Sequence, residues 1–147
     1  MKYLHTMVRI SNIKESLQVY CDLLGMKEVR RVENEKGKFT LIFLAASGDD
    51  HDAIKNTSPL LELTYNWDSS QEYQSGRTFG HLAFRVENIY KTCQNLLDNN
   101  ITINRPPRDG YMAFIKSPDG ISLELLQEGE RLEPSEPWLS MPSQGSW

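Results

Sequence analysis

YLHTMVRISNIK (3–14) and FGHLAFRVENIY (79–90) decide the fold between them. Laid on one another, His5 meets His81, Arg9 meets Arg85, Asn12 meets Asn88 and Ile13 meets Ile89; further on, Gln18 meets Gln94 and Asp22 meets Asp98. Each copy opens with β-branched and apolar residues that read as a strand, Tyr3–Ile10 and Gly80–Val86. Each then offers a helix cap. In the first copy Ser11 or Asn12 can serve, with Glu15 placed to assist Asn12, and in the second Asn88 serves. Ile13, Leu17, Tyr20 and Leu24 fall on one face of a helix that Gly25 stops. The second helix is expected to run to about Leu97.

Both copies continue as strands. The first predicts Lys27–Glu33, Phe39–Ala45 and Leu60–Asn66, with a polar loop over 46–59. The second predicts a short strand at Ile101–Asn104, a Pro-Pro turn, then Tyr111–Lys116 and Ile121–Gln127 joined by the β-turn Ser117-Pro118-Asp119-Gly120. The copies also end alike, Leu61-Glu62-Leu63 against Leu123-Glu124-Leu125. Two copies of so long a repeat make a duplicated domain rather than a solenoid. The expected fold is α+β: two βαβββ modules, about 1–67 and 78–127, in a single domain over 1–127, with curled mixed sheets around a cleft.

Composition narrows the function classes. A chain of 147 residues, 39% hydrophobic and 24% charged, is a globular balance with enough apolar residues for a core. No apolar run approaches the roughly 20 residues that span a bilayer, and MKYLHTMVRI lacks the apolar stretch of a leader. Cys21 and Cys93 are isolated thiols outside any CxxC motif, so a cytoplasmic, reducing environment is expected. The net charge of −4 argues against a nucleic-acid partner. Residues 128–147 carry Pro134, Pro137 and Pro142 and cannot form a regular helix. Leu132, Trp138, Leu139, Met141 and Trp147 lean this tail towards packing on a surface or a partner chain.

Each module places one imidazole in its first strand and one carboxylate in its last: His5 with Glu62, His81 with Glu124. Taken singly each has an ordinary explanation, a core histidine or the outward position of an alternating strand. Their matching places in a duplicated unit favour a His2Glu2 set for a divalent first-row metal, nickel, cobalt or zinc, with positions left open for substrate. His51, in the acidic loop Asp49–Asp52, reads as a surface residue.

LHTMVRI, LELTYNW, FGHLAFRV and SPDG followed by LEL closely resemble glyoxalase I (lactoylglutathione lyase) of the vicinal-oxygen-chelate superfamily, over residues 1–127. The resemblance implies that His5, Glu62, His81 and Glu124 are metal ligands. It implies a substrate formed by methylglyoxal and glutathione, a hemithioacetal isomerised to S-lactoylglutathione, with Glu124 as the proton-transferring base and Glu62 in a mirrored role. It implies Arg9, Asn66 and Arg77 as holders of the glutathione part, and a homodimer in which His5 and Glu62 of one chain meet His81 and Glu124 of the other. The absence of long core insertions points to nickel. One departure stands out: the family often carries a lysine where this chain has Gly110, and Arg108 is near but out of register. Rival readings are an epimerase or another enzyme of the superfamily, and a metal-free small-molecule sequestering protein.

Overall fold

The computed structural model describes residues 1–49, 58–68, 73–74 and 76–147. The chain forms two compact units, Met1–Tyr73 and Gln74–Trp147.

The first unit comprises β1 (His5–Ile10), α1 (Ile13–Leu17) running into a π-helical turn (Gln18–Leu23), β2 (Lys27–Asn34), β3 (Phe39–Ala45) and β4 (Leu60–Asn66). The sheet order is β1-β4-β3-β2. β1 and β4 run parallel, and the other two pairings are antiparallel. Alternation sorts the faces: Val8, Ile10, Ile42, Leu44, Leu61 and Leu63 are buried, whereas His5, Met7 and Arg9 point the other way. Asn12 is the cap, its Oδ1 accepting from the Glu15 N–H at 3.1 Å while its Nδ2 donates to Glu15 Oε1 at 3.0 Å.

The expected continuous helix to Leu24 is corrected. After Leu17 the ladder widens, with an i to i+5 bond from Leu24 N–H to the Val19 carbonyl at 3.0 Å. The wide turn shifts the phase of the apolar face. Ser16, Val19 and Tyr20 are buried and Leu24 is only half-buried. Gly25 then leaves at φ +77°, as a helix stop requires.

The second unit comprises β5 (His81–Val86), α2 (Ile89–Asp98), β6 (Met112–Lys116) and β7 (Ser122–Gln127), with sheet order β5-β7-β6. β5 and β7 are parallel, β6 and β7 antiparallel. Neither sheet closes into a barrel. The expected strand Ile101–Asn104 is absent. The chain makes only one bridge, Arg105 opposite Phe114, through bonds of 3.1 and 3.0 Å. Pro106 and Pro107 follow at once and have no N–H to extend a ladder, so the second module is βαββ with a single bridge in place of its missing strand.

Gln127, 4% exposed, locks α2 to β7. Its Oε1 accepts from Ile89 N–H at 2.9 Å, and its Nε2 donates to the Glu87 and Glu128 carbonyls at 2.9 and 2.8 Å. The buried amide is thereby satisfied.

Residues 128–147 lie along the second unit as a strap. Trp138, 4% exposed, stacks on Tyr90 with centroids 6.2 Å apart and planes 3° from parallel. Tyr90 Oη donates to the Glu133 carbonyl at 3.0 Å. Arg108 donates to the Met141 carbonyl at 2.7 Å and to Ser143 Oγ at 3.0 Å, so its guanidinium holds the strap. Asp109 braces the same corner. It accepts from the N–H groups of Tyr111 and Met112 at 3.1 Å each and pairs with Arg105 at 3.2 Å. Burial pushes its carboxyl up, but these donors outweigh burial and hold it below the ordinary aspartate value.

Gly110 explains the departure from the family lysine. It sits at φ +65°, and a Cβ there would lie 1.9 Å from the Leu132 carbonyl oxygen of the strap. Gly110→Ala is expected to destabilise the protein by about 2–3 kcal/mol in denaturant titration, through strained backbone and a displaced strap. A midpoint equal to that of the unsubstituted protein would contradict this packing.

Candidate metal centre

The two parallel strand pairs share one register. Met7 lies opposite Glu62 and Ala83 opposite Glu124, so each histidine sits two residues upstream of its glutamate's partner on the same face. The internal repeat placed one histidine and one glutamate in each module, and the strand register brings each two together. His5 Nε2 is 3.0 Å from Glu62 Oε2, and His81 Nε2 is 3.2 Å from Glu124 Oε2. The glutamate side chains are only 12% and 15% exposed, the histidines 38% and 45%. Each carboxylate is thus largely withdrawn from water with its imidazole as close partner, and each imidazole still faces the open side.

A phenylalanine buttresses each imidazole. Phe43 meets His5 edge-on at 5.9 Å, and Phe114 meets His81 edge-on at 5.5 Å. Phe43 is the β3 residue opposite Glu62, and Phe114 the β6 residue opposite Glu124. Arg30 stands next in line to Phe43, with its guanidinium 3.9 Å from the ring centroid, and Arg105 next to Phe114. Sequence reasoning missed both lines. Phe43 stands 19 residues before Glu62 and Phe114 ten before Glu124, so the linear repeat hides the match.

The donor set fits a divalent ion. Two donors bound at right angles with bonds of about 2.1 Å sit about 3.0 Å apart, which is the spacing within each pair. Imidazole nitrogen with carboxylate oxygen is also the donor chemistry that nickel, cobalt and zinc accept. Each pair alone offers two donors. Among the described residues no group of three or more His, Cys, Asp or Glu gathers at one place.

The remaining candidates divide between the units. Arg9 and Asn66 lie on the His5–Glu62 face, and Arg9 Nη1 donates to Asn66 Oδ1 at 2.6 Å. Thr64 Oγ1, on the same face, donates to Glu62 Oε1 at 3.3 Å. Glu124 has no such second donor among the described residues. Arg77 is exposed and lines a cleft of about 610 Å³ that includes His81 and Phe114. His51 lies outside the described residues.

Comparison with known proteins agrees with the fold. The sequence profile of the Glyoxalase/Bleomycin resistance protein/Dioxygenase superfamily matches residues 2–125. A probable lactoylglutathione lyase of Synechocystis is 38% identical over 133 residues, covering 87% of this chain and 96% of that protein. The lactoylglutathione lyase of Neisseria meningitidis serogroup A is also 38% identical over 133 residues, covering 87% and 91%. The trypanothione-dependent glyoxalase I of Leishmania major superposes with a TM-score of 0.77 at 32% identity, covering 86% of each chain. The chain belongs to the Glyoxalase/Bleomycin resistance protein/Dioxygenase superfamily, and within it to the glyoxalase I family of lyases.

Neither cysteine is equipped for chemistry. Burial pushes the Cys21 thiol up to about 11, aided by the charges of Asp22 and Glu28, and burial alone pushes Cys93 up to about 12. Native protein treated with iodoacetamide at neutral pH is expected to remain unmodified at Cys93, which is buried, by peptide mass mapping, while urea-unfolded protein is modified there. Rapid native labelling of Cys93 would contradict its burial.

Proposed function

We infer that the protein is a metal-dependent lactoylglutathione lyase, isomerising the hemithioacetal of methylglyoxal and glutathione to S-lactoylglutathione and so detoxifying methylglyoxal. The observation that carries the reading is the duplicated His–Glu pair, held in one register in a chain 38% identical to lactoylglutathione lyases over most of its length. Residues 1–127 act as one glyoxalase-type domain, with 128–147 added to it.

His5, Glu62, His81 and Glu124 would hold the metal. When bound, a divalent ion supplies Lewis-acid polarisation of the substrate's two vicinal oxygens and lowers the barrier to loss of the intervening C–H proton. Nickel is the proposed ion, ahead of cobalt and zinc, because the chain is close in length to its bacterial relatives and lacks long core insertions. The proposed assembly is a homodimer in which the His5–Glu62 pair of one chain and the His81–Glu124 pair of the other complete each site. The proposed location is the cytoplasm; among the described residues no helix is long and apolar enough to cross a membrane.

The chain's own residues divide the remaining work. Glu124 takes the proton from the thiol-bearing carbon and returns it to the neighbouring carbon, so the aldehyde-derived hydroxyl carbon becomes the thioester carbonyl. The hydroxyl proton passes from the oxygen on the thiol-bearing carbon to the neighbouring oxygen as the carbon-bound proton crosses, so two protons change place within the substrate and no external oxidant or reductant is needed. Glu124 suits this role because its carboxylate carries one hydrogen-bond partner fewer than Glu62 among the described residues. Glu62, held by His5 and Thr64, faces the opposite side of the substrate. Arg9 and Asn66 bind carboxylate and amide groups of glutathione, and Arg77 supplies a further cation.

Stripping the metal and restoring nickel, cobalt or zinc separately, with thioester formation as readout, tests the reading. Turnover should return with metal. Glu124→Gln should lower kcat by about a hundredfold or more, with metal content retained. Metal binding without thioester formation would overturn the activity, and a protein that takes up no metal would overturn the site.

A further inference from the structure

The cleft beside His81 contains more than the expected arginine. The described residues that line it belong to the second unit, and two of them, Ser146 and Trp147, come from the strap. Arg77 and Lys116 bring two positive charges, and no aspartate or glutamate side chain among the described residues lines the cleft. This is a cationic opening on a chain whose net charge is −4. Its walls are aromatic, and Trp147, 47% exposed, presents a large apolar ring to the opening. A volume of about 610 Å³ is that of a site for an extended small molecule rather than a single ion.

The strap is built to reach this place. Arg108 fixes Met141 and Ser143, as described above. Asn104 and Gln144 then exchange two bonds: Gln144 N–H to the Asn104 carbonyl at 2.8 Å, and Asn104 Nδ2 to the Gln144 carbonyl at 3.0 Å. Gly145 turns at φ +65°, and Ser146 arrives 3.4 Å from Lys116 Nζ. The strap therefore ends its anchored course at the cleft, with a hydroxyl on the lysine and an indole on the rim. The superfamily profile stops at residue 125, before the strap begins.

We propose that the strap is part of the substrate site: Lys116, oriented by Ser146, and Trp147 hold a carboxylate-bearing arm of the peptide thiol, making the strap a determinant of thiol selectivity. The proposal rests on the lyase reading for the identity of the thiol. Lys116 supplies a charge-assisted bond to the carboxylate. Trp147 covers the flat peptide groups beside it and excludes water from that bond. Neither residue reaches the reacting carbons, so both act on binding.

Calorimetric titration of the metal-loaded protein with S-methylglutathione, which cannot react, tests this without turnover. Trp147→Ala and Lys116→Met are each expected to weaken binding about three- to tenfold, with thermal midpoints close to that of the unsubstituted protein. Esterifying the ligand's carboxylates should weaken binding to the unsubstituted protein more than to Lys116→Met, because the variant has already lost the cation. Wild-type affinity in both variants would overturn the proposal, as would equal losses on esterification in the two proteins. Failure of the lyase reading looks different: S-methylglutathione binds and depends on both residues, yet no thioester forms from methylglyoxal and glutathione. If the unsubstituted protein does not bind S-methylglutathione, the thiol assignment falls with the proposal.

Discussion

The parallel pairing of first and last strand in each unit is the constraint on which the site depends. Because side chains alternate along a strand, a slip of one residue in β1–β4 or β5–β7 would send Glu62 or Glu124 to the opposite face. The register found keeps each carboxylate beside its imidazole and largely out of water. A carboxylate so placed needs a close partner, and the histidine is one until a cation takes that role. The antiparallel neighbours hold the arrangement laterally, since the phenylalanine opposite each glutamate packs its ring against the imidazole.

Much of this was legible in the residues. The strands Phe39–Ala45 and Leu60–Asn66 begin and end as alternation and flanking turn residues predict. Asn12 and Asn88 cap their helices because an asparagine before an apolar-periodic run has few better uses. The His–Glu pairs were legible because a duplicated sequence displays its own coincidences. What escaped was whatever depends on contacts distant in the chain. The π-helical turn keeps the same apolar residues as an α-helix and changes only their phase. The Ile101–Asn104 stretch has strand composition but pairs with no strand among the described residues; the bridge falls on Arg105, and Pro106 and Pro107 stop it from extending further along the chain. Arg108 resembles a spare cation until the strap's carbonyl and hydroxyl are seen on it. Gly110 resembles a loop glycine until Leu132 is found above it.

The duplication is not symmetric in use. The first unit adds Thr64 to its glutamate and joins Arg9 to Asn66. The second leaves Glu124 with the histidine alone among the described residues and opens a cationic cleft beside it. One scaffold, copied, thus offers a more constrained carboxylate and a freer one. A carboxylate with fewer fixed partners is the better placed of the two to act as a general base on a neighbouring carbon.

Each His–Glu pair carries two donors, and in the proposed dimer two pairs from different chains complete one site. Complementation tests this most directly. His5→Ala/Glu62→Gln and His81→Ala/Glu124→Gln chains, each metal-free and inactive alone, would be co-expressed with different tags and the mixed dimer isolated. One site of that dimer combines both damaged halves, and the other combines both intact halves. A site shared between chains gives one metal ion per mixed dimer and about half the activity of the unsubstituted dimer. A mixed dimer that stays metal-free and inactive would contradict a site shared between chains.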